Sequence, residues 1–170
     1  MIDVIIAGAA GRMGRRIAHM VNDHPQLNYA AAFEAAGNPA IGKDAGLLST
    51  GEKNGVVIGE GLESVIDNGE VIIDFTFHKA TMEFVKIAAE YGRAMVIGTT
   101  GLSADDLTVL QESATEHFPC VQAPNMAVGV NVLFKMVEKA AAVLGDAYDV
   151  EIVEAHHRMK KDAPSGTALK

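Results

Sequence analysis

The sequence has few of the features that mark secreted or membrane-spanning proteins. It contains one cysteine among 170 residues, Cys120, which excludes an internal disulfide and fits a reducing compartment. No apolar run approaches the ~20 residues that a membrane-spanning helix needs. The N-terminus lacks the positively charged segment and the apolar stretch of a signal peptide. We therefore expect a cytoplasmic protein without a membrane partner.

Basic residues are also scarce, with 14 Lys and Arg against 22 Asp and Glu, which gives a formal net charge of -8. Because a phosphate backbone demands a basic face, this balance argues against nucleic acid as a partner. Hydrophobic residues make up 49% of the chain, which is enough to bury a sizeable core. The length indicates one domain, or one domain and part of another.

A strand, a glycine-rich turn and a helix open the chain. Residues 4–7 are a β-branched apolar run that is typical of a buried parallel strand, and residues 8–14 follow with the spacing G-x-x-G-x-x-G. The predicted helix ends before Pro25, and its apolar face contains Ile17, Met20 and Val21. Such a turn lets a pyrophosphate approach the backbone at a helix N-terminus. The alternative is a turn that serves packing alone.

An acidic residue follows the second predicted strand, residues 27–33. Glu34 lies about 20 residues beyond the glycines, where a carboxylate would accept hydrogen bonds from the adenosine ribose hydroxyls. Ala35 follows it, so no adjoining arginine neutralises the 2′-phosphate of NADP, although Arg12 or Arg15 could reach across. The pattern favours NADH over NADPH. The alternative is a solvated residue at a strand end.

Strands alternate with helices over most of the chain, which predicts an α/β fold with a doubly wound, parallel, Rossmann-like sheet. The predicted strands are residues 4–7, 27–33, 55–58, 71–76, 94–97 and 120–123. Later helices are predicted at 81–91, 103–117 and 128–144, with one or two helical turns at 62–66 and a surface loop at 36–55. Ligands of such sheets bind at the carboxyl ends of the strands. Several candidate segments follow strands: residues 8–14, Glu34, 76–78, 98–101 and 123–126.

The pattern changes after the helix at 128–144, which Gly145 ends. Residues 149–155 alternate polar and apolar side chains, which is typical of an antiparallel strand with one solvated face. We therefore predict a dinucleotide-binding domain at residues 1–127 and the start of an α+β substrate domain at residues 128–170.

Two histidines and several basic residues follow that alternating segment. His156 and His157 point to opposite faces if they extend a strand, Lys160 suits a substrate carboxylate, and residues 164–167 resemble a helix N-terminus that binds an anion. A small polycarboxylate ligand fits this set. A metal site is disfavoured because no cysteine or third histidine is near, and Ser165 lacks the surroundings of a nucleophile. A solvated basic face remains the alternative.

Residues 154–168 read E-A-H-H-R-M-K-K-D-A-P-S-G-T-A, which closely resembles the signature of the dihydrodipicolinate reductase family. Further blocks resemble that family in the same order: residues 8–14, 74–76, 98–101 and 125–131. The resemblance spans essentially the whole chain. It implies that a nicotinamide cofactor passes hydride to a cyclic, unsaturated imine with two carboxylates, giving tetrahydrodipicolinate on the diaminopimelate route to lysine.

The resemblance also assigns roles to residues. His156 would be the general acid and Lys160 a second proton donor that contacts substrate, while His157, Gly166 and Thr167 would hold the dicarboxylate. The implied cofactor-binding residues are Gly8, Ala9, Ala10, Gly11, Arg12, Met13, Glu34, Gly98, Thr99, Thr100, Ala123, Pro124, Asn125 and Met126. No metal is implied.

Two departures from the family pattern qualify these expectations. Ala35 stands where an arginine is common, which favours NADH. The family's substrate domain continues beyond Lys170, so we expect a truncated chain that turns over poorly or not at all. The resemblance implies a homotetramer for the full-length protein. Two other hypotheses are a non-catalytic dinucleotide-binding fragment and a different dehydrogenase with an acidic substrate.

Overall fold

A computed structural model describes residues 1–158 and 163–170. The described chain forms two compact units, Met1–Gln122 and Ala123–Lys170. The strands are β1 Ile2–Ala7, β2 Leu27–Glu34, β3 Ile58–Glu60, β4 Val71–Asp74, β5 Ala94–Ile97 and β6 Cys120–Gln122. The α-helices are α1 Arg12–Asp23, α2 Ala45–Ser49, α3 His78–Tyr91, α4 Ala104–His117, α5 Val128–Leu144 and α6 Gly166–Leu169. Two short 3₁₀ turns, Leu62–Ser64 and Ile66–Asn68, occupy the predicted helical turns.

The first unit is built on one six-stranded sheet with the order β3-β2-β1-β4-β5-β6. Every neighbouring pair of strands is parallel, and the β1–β2 register shifts once, between Val4 and Ile5. The strand order reverses direction beside β1, which is the topological switch point where such sheets bind ligands. The predicted Rossmann-like architecture is confirmed.

Alternate residues of β1 enter two separate cores, because successive side chains of a strand point to opposite faces. One core contains Ile5 and Ala7 with Val85 of α3 and Leu110 of α4. The other contains Val4 and Ile6 with Ala18 of α1 and Ala45 of α2. Helices therefore cover both faces of the sheet. Burying an aliphatic side chain of this size contributes about 1.5–3 kcal/mol.

Helix α1 begins at Arg12, inside the glycine-rich turn, and its buried residues are Gly14, Ala18 and Val21. Met20, predicted on the apolar face, is 59% exposed, so that part of the prediction is wrong. The helical repeat explains the difference, since positions 14, 18 and 21 recur on one face while position 20 lies beside it.

The segment predicted as a surface loop at residues 36–55 contains helix α2 and buried Ala40 and Ala45, so the prediction is wrong for this part. The Asp44 carboxylate accepts hydrogen bonds from the N–H groups of Leu47 at 3.3 Å and Gly55 at 2.9 Å. One side chain therefore caps the helix and closes the segment. A five-residue helix is too short to give a periodic pattern in the sequence.

The second unit contains α5 and α6. Helix α5 has the predicted bounds and ends at Gly145, whose N–H donates to the carbonyl of Ala141. The strand predicted at residues 149–155 is wrong, because the structure assigns this described segment no strand and it is exposed. Alternating polarity suits a strand, but a strand forms only when a neighbour completes its hydrogen-bond ladder. Within residues 1–158 and 163–170, no helix is both long and apolar enough to cross a membrane.

Candidate functional site

The turn between β1 and α1 folds tightly against the end of β2. The N–H groups of Gly8 and Ala9 donate to the carbonyl of Phe33 at 3.0 and 3.3 Å, and the N–H of Gly11 donates to the carbonyl of Gly8 at 2.9 Å. Gly8 has φ +62°, and a β-carbon on Gly14 would lie 2.1 Å from the Gly8 carbonyl oxygen. Only glycine fits these two positions, so the tight conformation of the turn depends on both of them.

Glu34, the last residue of β2, is buried, with 8% of its surface exposed. Its Oε1 accepts a hydrogen bond from the N–H of Ala10 at 2.8 Å, and its Oε2 accepts one from Nδ2 of Asn38 at 3.0 Å. A solvated residue at a strand end does not have these contacts. The carboxylate joins the glycine-rich turn to the segment after β2.

A cavity of about 610 Å³ lies at this edge of the first unit. Ligand pockets commonly have volumes of about 300–1,000 Å³. The lining residues include four charged ones, Arg12, Arg15, Lys43 and Glu34. Nε of Arg15 donates to the carbonyl of Ala10 at 2.8 Å, which holds this guanidinium beside the turn. The site has the size, the cationic side chains and the helix N-terminus that suit a phosphorylated cofactor.

A second group of hydrogen bonds connects the ends of β4 and β5. The carboxylate of Asp74 is fully buried. It accepts two hydrogen bonds from Thr76, one from the N–H at 2.9 Å and one from the hydroxyl at 2.6 Å, and a third from the hydroxyl of Thr81 at 2.5 Å. Oγ1 of Thr99 also accepts from the N–H of Thr76, at 3.0 Å. Thr76 lines the cavity, so Asp74 fixes one of its walls.

The predicted cofactor residues Gly98, Thr99 and Thr100 follow β5 at the same edge of the sheet. Gly98 donates its N–H to the carbonyl of Asp74 at 2.9 Å. A β-carbon there would lie 2.0 Å from the ring of Phe75, which lines the cavity. The structure therefore brings residues 8–14, Glu34 and the Gly98–Thr100 segment to one edge.

In the second unit, Asn125 and Thr167 come together although 42 positions separate them. Nδ2 of Asn125 donates to Oγ1 of Thr167 at 3.4 Å. Oδ1 of Asn125 accepts from the N–H of Ala127 at 2.9 Å, and its carbonyl accepts from Nδ2 of Asn131 at 3.0 Å. A predicted cofactor residue thus contacts a predicted substrate residue. Ala123, Pro124 and Met126 adjoin Asn125, in the segment before α5.

His156 lies close to a carboxylate that also binds the start of α6. Oε2 of Glu154 is 3.6 Å from Nδ1 of His156, and it accepts a hydrogen bond from the Ser165 hydroxyl at 2.5 Å. The N–H of Ser165 donates to Oε1 at 2.9 Å. Ser165 in turn caps α6, since its Oγ accepts from the N–H of Ala168 at 3.2 Å. Residues 164–167 were predicted to bind an anion at a helix N-terminus, and the Glu154 carboxylate accepts two of the hydrogen bonds that this segment can donate.

The remaining predicted residues of this segment are His157, Gly166, Thr167 and Lys160. His157 is exposed, whereas Gly166 and Thr167 are half-buried in the first turn of α6. Lys160 lies outside the described residues. Among residues 1–158 and 163–170, no group of three or more His, Cys, Asp or Glu side chains could hold a metal ion.

Three residues near these sites were not predicted: Lys43, Asp74 and Glu154. Asp74 had a recognisable signal, because it ends a buried strand and two threonines follow within seven positions. Glu154 belongs to the histidine-rich motif, but its contact with Ser165 depends on the chain folding back. Lys43 lies in a segment without periodicity, so the sequence gives no indication that it reaches the cavity.

Comparison with known protein families identifies both parts of the chain. Residues 2–126 match the model described as dihydrodipicolinate reductase, N-terminus, and residues 129–170 match the one described as dihydrodipicolinate reductase, C-terminus. The chain belongs to the dihydrodipicolinate reductase family. The resemblance carried by the sequence motifs is thereby confirmed.

Individual relatives within the dihydrodipicolinate reductase family agree. The chain is 71% identical over 170 residues to a 4-hydroxy-tetrahydrodipicolinate reductase of Desulfotalea psychrophila, covering all of this chain and 63% of the relative. It is 49% identical to the enzyme of the same name from Anaeromyxobacter dehalogenans, with the same coverage of both proteins. The chain therefore spans 63% of the length of these curated relatives.

Solved structures extend the comparison to the fold. A dipicolinate-bound dihydrodipicolinate reductase from Paenisporosarcina sp. TG-14 has a TM-score of 0.73 and 31% identity, covering 99% of this chain and 63% of that one. Aspartate semialdehyde dehydrogenase with NADP from Candida albicans has a TM-score of 0.54 at 17% identity, covering 82% of this chain and 47% of that one. The second similarity concerns the fold alone.

Proposed function

We propose that this chain binds NADH or NADPH and carries out the NAD(P)H-dependent reduction of 4-hydroxy-tetrahydrodipicolinate, by way of dihydrodipicolinate, to tetrahydrodipicolinate. This reaction belongs to lysine and diaminopimelate biosynthesis. The observation that carries the proposal is the cavity between the glycine-rich turn and Glu34, in a chain of the dihydrodipicolinate reductase family. We assign residues 1–127 to cofactor binding and residues 128–170 to the substrate side.

The glycine-rich turn fits a dinucleotide, because Gly8 at φ +62° and the close approach of Gly14 to the Gly8 carbonyl form a tight turn directly before the N-terminus of α1, where a pyrophosphate would bind. The proposed cofactor-binding residues are Gly8, Ala9, Ala10, Gly11, Arg12, Met13, Glu34, Gly98, Thr99, Thr100, Ala123, Pro124, Asn125 and Met126. When bound, the cofactor supplies the hydride. Glu34 followed by Ala35 favours NADH. A carboxylate accepts hydrogen bonds from the ribose hydroxyls and repels a 2′-phosphate, and Ala35 brings no positive charge to offset that repulsion.

On the substrate side, we propose His156 as general acid and Lys160 as a second proton donor. Hydride addition leaves a negative charge that a positioned acid must neutralise by protonation. The Glu154 carboxylate lies 3.6 Å from Nδ1 of His156, a position from which it would orient the imidazole ring. His157, Gly166 and Thr167 would hold the two substrate carboxylates. The Paenisporosarcina relative is dipicolinate-bound, and dipicolinate is itself a dicarboxylate, which supports this assignment.

The experiment has a binding arm and a reaction arm. Calorimetric titration of the folded chain with NADH and NADPH tests the cofactor site, and failure of both to bind would contradict it. The reaction arm follows nicotinamide absorbance after addition of 4-hydroxy-tetrahydrodipicolinate. A positioned general acid contributes about 10²–10⁴-fold to a rate. The rate of the His156→Ala variant should therefore be at least about 10²-fold below that of the unsubstituted chain. His24→Ala, at the exposed end of α1, is the matched control.

A second candidate is a dinucleotide-binding module without catalysis. It is favoured by one observation, the exposure of His156 and His157 in a segment that forms no strand. Cofactor binding without any substrate-dependent loss of nicotinamide absorbance would support this module and contradict a reductase that is active in this chain. A dehydrogenase for another acidic substrate would be indicated if reduction of the dicarboxylate survived both His156→Ala and Lys160→Ala.

A further inference from the structure

The cavity beside the glycine-rich turn is cationic in an acidic chain. The protein carries a formal net charge of -8, yet three cations, Arg12, Arg15 and Lys43, line the cavity against one carboxylate, Glu34. Both oxygens of that carboxylate already accept hydrogen bonds within the protein. These donors offset part of its charge, so its repulsion of an incoming anion is reduced.

A continuous series of hydrogen bonds positions Lys43 relative to Glu34. Oε2 of Glu34 accepts from Nδ2 of Asn38, and Oδ1 of Asn38 accepts from the N–H of Ala40 at 2.9 Å. The carbonyl of Ala40 accepts from the N–H of Lys43 at 3.0 Å. On its other side, the carbonyl of Lys43 accepts from the N–H of Ile58 at 3.0 Å. The backbone of Lys43 is therefore fixed at the cavity wall.

The three cations divide between two parts of the cavity. Arg12 starts α1, and Nε of Arg15 is bound to the carbonyl of Ala10, so both belong to the turn where a pyrophosphate is expected. Lys43 comes from the segment that follows Glu34, on the wall where the adenosine ribose is expected. Among the described residues, no carboxylate lies within 4.0 Å of the Lys43 ammonium.

We propose that Lys43 binds the 2′-phosphate of NADPH and so allows this cavity to accept NADPH in addition to NADH. The inference rests on the proposed cofactor site and names a residue that decides its specificity. A lysine ammonium is a strong partner for a phosphate as a point charge. Dihydrodipicolinate reductases commonly have an arginine directly after the acidic residue, where this chain has Ala35. We infer that Lys43, nine residues after Glu34, supplies the positive charge instead.

The test compares NADPH and NADH affinities of the unsubstituted chain, Lys43→Gln and Lys43→Ala by calorimetry. Losing one exposed, charge-assisted contact should weaken NADPH binding about fivefold to tenfold and change NADH binding less than about twofold. Adenosine 2′,5′-bisphosphate should be affected like NADPH, and the effect should shrink as salt is raised. Lys86→Gln, an exposed lysine of α3 that does not line the cavity, should change neither affinity.

The outcomes separate this inference from the proposed function. If the unsubstituted chain binds NADH and not NADPH, the cofactor site stands and the role of Lys43 is overturned. Equal weakening of both cofactors, or no change in either, also overturns it. Binding of neither cofactor to the folded unsubstituted chain contradicts the proposed function itself. Melting curves of the variants verify that each is folded.

Discussion

Gly14 leaves no room for a side chain beside the cavity. Its missing side chain lets helix α1 approach the Gly8 carbonyl so closely that a β-carbon would lie 2.1 Å from the oxygen and 2.8 Å from the Ala9 Cα. Both neighbours are backbone atoms, which cannot move aside as a flexible side chain can. The geometry of the turn therefore depends on this position.

We expect Gly14→Ala to lower the free energy of unfolding by about 1–3 kcal/mol, because it overpacks a rigid contact. It should also weaken the binding of NADH and NADPH together, since the turn must shift. Gly129→Ala is the control: nothing lies within 4 Å of its added β-carbon, and alanine favours the helix. Chemical denaturation and calorimetry measure both effects. Unchanged stability of Gly14→Ala would contradict this tight packing of the turn.

Asp74 holds three hydrogen-bond donors without any contact with water. Asp74→Asn replaces one acceptor oxygen with an amide that donates, so one buried group loses its partner. We expect unfolding free energy to fall by about 1–3 kcal/mol, measured by denaturation. Asp67→Asn, whose side chain is 81% exposed, should change it by less than about 1 kcal/mol. Equal effects of the two substitutions would show that the buried network does not stabilise the fold.

Among the elements, helix α4 has the most complete N-terminal cap. Oγ of Ser103 accepts from the N–H of Asp106 at 3.1 Å, and Oδ2 of Asp106 accepts from the N–H of Ser103 at 2.9 Å. Ser103→Ala should cost about 1 kcal/mol of unfolding free energy, since the N–H of Asp106 at the start of the helix loses its acceptor. Ser113→Ala, in the middle of the same helix, should be neutral or slightly stabilising. Thermal denaturation of both variants distinguishes the cap from a general effect of serine removal.

The same cap should respond to pH. Hydrogen bonds from the N–H and then the hydroxyl of Ser103 lower the pKa of the Asp106 carboxyl below its ordinary value. A lowered folded-state pKa stabilises the fold above the unfolded-state pKa of about 4, and this stabilisation is lost as pH falls through the folded-state value. The stability difference between the unsubstituted chain and Asp106→Asn should therefore be full at neutral pH and shrink in acid.

Denaturation at a series of pH values measures that difference. In a Ser103→Ala background, Asp106→Asn should have a smaller effect at neutral pH, because the hydroxyl, one of the two donors that lower the pKa of Asp106, has gone. A difference that stays constant down to strongly acidic pH would contradict the assigned cause.

The elements also indicate how far the sequence could be read. The cap of α4 and the bounds of α5 were predictable, because capping residues and a long apolar period act locally. The same is true of β5, a buried apolar run. The glycine-rich turn and Glu34 were predictable because their order along the chain corresponds to one sheet edge.

The errors have a common physical origin in contacts between distant residues. The strand predicted at residues 149–155 depends on a neighbouring strand, which the alternation of its own side chains does not report. Helix α2 depends on the Asp44 carboxylate, which reaches residues on both sides of it. Lys43 reaches the cavity through backbone hydrogen bonds to Ala40 and Ile58, and a single sequence does not reveal such a series.

At the scale of the whole molecule, the stabilising core is concentrated in Met1–Gln122, where Ile72 is fully buried. Ile72→Ala should lower unfolding free energy by about 2–5 kcal/mol through lost burial and the remaining cavity. Val153→Ala, at a residue 91% exposed, should change it by less than about 0.5 kcal/mol. Amide exchange should likewise be slow in β1 and β4 and fast at residues 149–157. Comparable protection of these segments would contradict the difference in burial.

Because β1 lies between β2 and β4, the sheet cannot be completed until both of these later strands have been synthesised. β1 is made before β4, but one of its edges pairs with β4, where Val4 lies opposite Val71. Until the ribosome has released β4, the backbone groups along that edge have no strand to pair with. The nascent chain therefore carries an incomplete sheet through much of its elongation, and this is the period in which a chaperone would protect it from association.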